Sequence, residues 1–135
     1  MVLCAEKFIE RLNAEGLRYS VNELDGGKVY ISLGFGGRST DFFFDGRDEG
    51  SHVAIRTIFD KCPEDRFAEL IVVCNALNVE YRWVKFYVDK DNDIMVSDDA
   101  IVSPETAGEE CFELLVHTIS ILNDVKPTLM RAIYS

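Results

Sequence analysis

Asp89, Asp91 and Asp93 occupy alternate positions in the stretch YVDKDNDIMV, Tyr87 to Val96, and acids at that spacing open a calcium loop. Such a loop needs glycine at its sixth place for a sharp turn and a bidentate glutamate at its twelfth. Those places hold Ile94 and Ala100 here. The flanks alternate like strands, whereas a calcium loop lies between helices. Asp and Asn tolerate left-handed backbone and bond to their own neighbours, so 89–93 reads as a hairpin turn. The other reading is an acidic ion-binding or small-ligand-binding domain centred on Asp89, Asp91, Asp93, Asp98 and Asp99.

Other chemistry finds fewer footholds. The run GFGG, Gly34 to Gly37, has no following helix and no P-loop lysine, and reads as a hairpin bend. His52 lies in a strand pattern and His117 in a helical one. Cys111 and His117 are six residues apart on one helix, about 240° around it, and do not share a face. No H-E-x-x-H or G-x-S-x-G motif occurs. Cys4, Cys62, Cys74 and Cys111 form no C-x-x-C pair, and the last two fall among apolar helical residues, as reduced core thiols do. The chain is therefore expected to be no enzyme and to hold no metal or cofactor.

Charge narrows the partners. The chain has 24 acidic against 14 basic residues, and from Asp89 to Glu113 the acids face Lys90 alone. Such a field repels phosphate, so neither nucleic acid nor an anionic membrane is an expected partner. No stretch approaches the ~20 apolar residues of a membrane span, and MVLCAEKFIERL lacks a basic lead followed by an apolar run. A cytoplasmic location is expected, with residues 1–135 as a single domain.

The elements that must position these groups follow from periodicity. Ala5, Phe8, Ile9 and Leu12 repeat at helical spacing until Gly16. The period then becomes two in RYSVNEL, KVYISLGF, TDFFFD and SHVAIRTIF, separated by Asp-Gly and Gly-Gly turns: about four antiparallel strands with one covered face. Pro63, Glu64 and Asp65 open a helix in which Phe67, Leu70, Ile71, Cys74 and Leu77 make an inward stripe. Ala68, Val72, Val73 and Ala76 make its remaining circumference apolar too, so it must be covered twice, by the sheet and by the last helix or a second subunit. YRWVKFYVD and DIMVSDD form a hairpin with Val84, Phe86 and Val88 inward and Trp83, Lys85 and Tyr87 on the reverse face, suited to a peptide or another subunit. Ser103-Pro104-Glu105 starts a last helix that Pro127 should end or kink, with a short helical turn beyond it. The class is α+β, an antiparallel sheet of five to six strands in the order α-β(3-4)-α-β-β-α.

That order, together with FDKCPEDRFAELIVVCNALNVEYRWVKFYVDKDNDIMV, resembles the YbjN family of bacterial sensory-transduction regulators. The residues that carry the likeness are Pro63-Glu64, Asn75-Ala76-Leu77-Asn78, and Lys85-Phe86 leading into an acid-rich turn. The resemblance implies a fold like that of the type III secretion chaperones, commonly with three strands before the middle helix, and a non-enzymatic regulator or chaperone-like adaptor. Its implied partner is another protein or a sister subunit in a homodimer, met through Ala68, Val72, Val73, Ala76, Trp83, Lys85 and Tyr87.

Overall fold

The structure, a computed structural model, describes residues 1–135. Helix α1 (Leu3–Ala14) is followed by strands β1 (Ser20–Glu23), β2 (Val29–Phe35), β3 (Arg38–Phe44) and β4 (Ser51–Lys61). Then come α2 (Phe67–Glu80), the hairpin β5 (Lys85–Val88) and β6 (Asp93–Val102), and α3 (Ala107–Tyr134). Four strands precede α2, one more than the secretion chaperones commonly have. The sheet is antiparallel throughout, ordered β1-β2-β3-β4-β6-β5.

Local chemistry sets the boundaries. Gly16, at φ 69°, ends α1 in a Schellman motif: its N–H bonds to the Asn13 carbonyl and that of Leu17 to the Leu12 carbonyl. Alternation then decides which side of each strand is buried. Val29, Ile31 and Leu33, Phe42 and Phe44, and Val53 and Ile55 all point to the side that carries the helices. The opposite face has no helix on it, and there Tyr30 stacks on Phe43 with ring centroids 5.0 Å apart.

The core has two halves. One joins α1 to β2, β3, β4 and the first half of α3, with Phe8 seated 4.6 Å from Phe42 between ring centroids. Gly108 lets α3 cross α1 closely, since a Cβ there would lie 2.8 Å from the Lys7 carbonyl oxygen. The other half joins α2, β5 and the end of β4 to Ile121, Val125, Leu129, Ala132 and Ile133 of α3. Buried polar groups lie between them: Thr40 and Thr57 share a hydrogen bond of 2.8 Å across β3 and β4, Asp98 sits opposite Ile55, and the Thr118 hydroxyl bonds to the Leu114 carbonyl.

The last helix departs from its sequence reading at both ends. Residues 103–106 form a turn closed by the Ser103 carbonyl, which accepts from the Thr106 and Ala107 N–H groups, and no side chain caps α3. Pro127 lies inside an unbroken 28-residue helix. Proline costs the carbonyl four residues earlier its partner. That residue, Asn123, is exposed, as is Pro127, so water can serve the freed group, while buried Val125 and Leu129 hold the opposite side in the core. Replacing Pro127 by Ala restores the donor but enlarges the unfolded ensemble. The expected net gain is roughly 1–2 kcal/mol in urea unfolding, with an unchanged circular dichroism spectrum.

Candidate functional site

The seven residues singled out from the sequence lie on three surfaces. On α2, Leu70, Cys74 and Leu77 are buried and Val73 packs partly against them. The other side of the helix is open. Ala68, Val72, Asn75, Ala76 and Val79 form one stripe about 100° wide, in which Val72 is 68% and Val79 84% exposed. Phe67 and Ile71, expected inward, are also more than two-fifths exposed at its margin. The last helix shares a core with the inner side of α2, and Arg66, just before α2, donates to the Ala132 carbonyl at 2.8 Å.

Lys85 and Tyr87 stand on the outer face of the sheet. Tyr87 is fixed by a 2.8 Å hydrogen bond between its hydroxyl and that of Ser97. Trp83 is not with them. Strand β5 begins only at Lys85, and Trp83 sits in the preceding bend at φ 79°, a left-handed backbone that turns its ring to the helical side. There it stacks on His117 of α3 at 6.2 Å between centroids, with 64% of the residue still exposed. Asn78 closes the bend from the other side: its amide donates to the Phe86 carbonyl and accepts from the Phe86 N–H, tying the end of α2 to β5.

The acidic hairpin is a turn. Asp89 Oδ1 accepts from the N–H groups of Asp91 at 3.0 Å and Asp93 at 2.9 Å, and Asn92 takes the left-handed conformation at φ 60°. Asp93 pairs with Lys61 at 2.8 Å, and Asp99 with Arg56 at 3.0 Å and His52 at 3.1 Å. No group of three or more His, Cys, Asp and Glu residues stands in a metal-holding arrangement.

Asp98 differs from its neighbours. It is 7% exposed, its Oδ1 accepts from the Asp99 N–H at 2.8 Å, and its Oδ2 has no partner. Burial raises its pKa, and the Asp99 N–H offsets part of that. Its neighbours at alternate positions, Ile94, Val96 and Val102, are all buried. Continuing that alternation through Asp98 places its side chain inward, a signal present in the sequence.

Trp83, Ala100, Glu110, Glu113, Leu114 and His117 together line a cleft of about 300 Å³ between the 81–84 bend, β6 and α3. No local pattern foretells it, because its walls come from three separate elements.

The molecule is thus a two-layer α+β protein whose distinguishing features are surfaces. A family model described as "Putative bacterial sensory transduction regulator" matches residues 6–130, and the chain belongs to that family, YbjN. Its fold is similar to that in the "Crystal structure of YbjN, a putative transcription regulator from E. coli", with a TM-score of 0.57 and 16% identity over 93% of each chain. No curated protein matches the sequence.

Two solution measurements follow from the buried ionisable groups. Burial pushes the Cys111 thiol up to about 12 and that of Cys74 to about 11, and all four cysteines are buried. A thiol reagent at pH 7 should therefore label the native chain slowly and all four thiols rapidly in denaturant. Because Asp98 binds its proton more tightly folded than unfolded, it favours the fold most below the ordinary value of 3.8 and less as pH rises. Asp98→Asn should thus gain stability relative to the native chain as pH rises above about 4, read as diverging urea midpoints.

Proposed function

We propose that the chain is a non-enzymatic cytoplasmic regulator, or chaperone-like adaptor, that works through protein–protein contacts, with a second copy of the chain seated on α2. The observation that carries this reading is the stripe Ala68, Val72, Asn75, Ala76 and Val79, a helix face apolar but for Asn75 that nothing else in the chain covers. Alanines on either side of Val72 allow another helix to approach closely. A two-fold arrangement would set each stripe against its copy, which suits a self-complementary surface. The family's description as a regulator agrees with a role played by contacts.

The remaining candidates serve a protein partner. Trp83 and Tyr87 supply amphipathic rings, with Lys85 beside Tyr87. The excess of acids would speed the arrival of a basic partner. An ion site at 89–99 gains no comparable support: Asp89 is engaged with backbone, and Asp93 and Asp99 with cations.

Light scattering across a dilution series of the native chain should give twice the chain mass. Val73 touches the core, so the informative variant is Val72→Lys with Val79→Lys, both at exposed positions. It should run as a monomer with an unchanged circular dichroism spectrum, association being weakened by about a hundredfold or more. A native chain that is monomeric throughout, or a variant that associates as tightly as the native chain, would refute the pairing.

A further inference from the structure

The cleft beside Trp83 has a chemistry of its own, independent of the α2 surface. One wall is the exposed indole, held by its left-handed backbone against the His117 ring. Glu110 and Glu113 stand one helical turn apart on the wall formed by α3, and neither enters an ion pair. The floor includes Ala100 of β6. One step along the same face of that strand is Asp98, more than nine-tenths buried, with an oxygen that no donor reaches. Asp98 also lies within electrostatic reach of His117.

A buried carboxylate oxygen without a donor costs more than an ordinary lost hydrogen bond, and natural structures rarely leave one so. The nearest fixed cation does not supply it. Arg56 directs its guanidinium to the Ile55 and Asp98 carbonyls and to the Asp99 carboxylate. The cleft therefore combines an aromatic face and two unpaired carboxylates at its rim, and a third carboxylate that lacks a donor is buried two residues along β6 from Ala100, outside the cleft's lining. Its complement is a flat cation with several N–H groups and a short apolar stem. An ammonium would satisfy the charge, but a guanidinium also stacks on an indole and forks between carboxylates.

We infer that the cleft formed by Trp83, Glu110, Glu113, Leu114 and His117 above Asp98 is a binding site for an alkylguanidinium group, as carried by arginine. The plane of the guanidinium lies along Trp83, its N–H groups meet Glu110 and Glu113, its tip turns toward Asp98, and its methylene stem packs on Leu114 and Ala100. A cleft of about 300 Å³ accommodates one such side chain.

Trp83 is the only tryptophan of the chain, so its fluorescence reads the cleft directly. The probe is N-acetyl-arginine methylamide, titrated to tens of millimolar at constant ionic strength and followed by fluorescence and calorimetry. The uncharged N-acetyl-citrulline methylamide, of nearly the same shape, is the control. Saturable binding of the arginine compound is expected, with the citrulline compound weaker by about tenfold or more. Glu110→Gln with Glu113→Gln, both at exposed positions, should weaken the arginine compound by a similar factor. Asp98→Asn should weaken it less, and its fold is checked by circular dichroism. The peptide acetyl-Gly-Arg-Gly-amide separates the two sources of the group: tighter binding than the single residue marks an arginine within a polypeptide, and equal binding a small guanidinium compound. Absence of saturable signal by both methods, equal binding of citrulline, or an unaltered Glu110→Gln/Glu113→Gln titration would overturn the assignment.

Discussion

Burial of the sheet on one side only is the constraint on which the rest of the structure depends. Three helices share one face, and every strand must send its apolar set to that face in register with its neighbours. A slip of one residue in β3 would put Phe42 and Phe44 into water and Phe43 into the core. The layer of helices cannot be tiled evenly. α1 and the first half of α3 cover one end of the sheet, while α2 and the second half of α3 cover the other. α2 is reached from only one direction, so its far side is left as surface.

This arrangement places every candidate for recognition at an edge of the helical layer or on the bare sheet. The stripe on α2 faces away from the sheet, the Trp83 cleft opens where β5 stops short of β6, and Tyr87 stands on the uncovered face. β6 runs for ten residues against four in β5. The overhang of β6 is what leaves room beside Ala100 for Trp83 and the glutamates of α3. The indole occupies that space through a single left-handed residue, which is why a tryptophan that alternates with Lys85 and Tyr87 in sequence parts from them in space.

Much of the fold was legible because period-two and period-3.6 patterns are dictated by the same burial that the structure displays. Four strands before α2, the hairpin after it and the inward sets of Val29, Phe42, Val53 and Phe86 follow directly from alternation. The apolar circumference of α2 also announced a second surface. Pro127 does not end the helix because proline's effect depends on which side of it faces water, a tertiary fact. Trp83 misled because one left-handed residue ends an alternation without any glycine to mark it. The cleft was hidden for a different reason: Ala100, Glu110 and His117 become neighbours of Trp83 only once α3 lies across the sheet. Asp98 could have been found, since its inward position is the third of an alternating series of five on Phe86's partner strand, Ile94, Val96, Asp98, Ala100 and Val102.

The hydroxyls of Thr40 and Thr57, with Asp98 and Thr118, run as a polar seam between the two apolar halves of the core. Side chains on opposite sides of such a seam share few packing partners, so changes of volume in one half are weakly felt in the other. The half built around Phe8 can keep its jigsaw of rings while the half built around Leu70 and Cys74 is repacked to tilt α2. A lineage can thus re-aim the outward stripe toward a new neighbour by altering residues beneath it, leaving the remainder of the domain to fold as before.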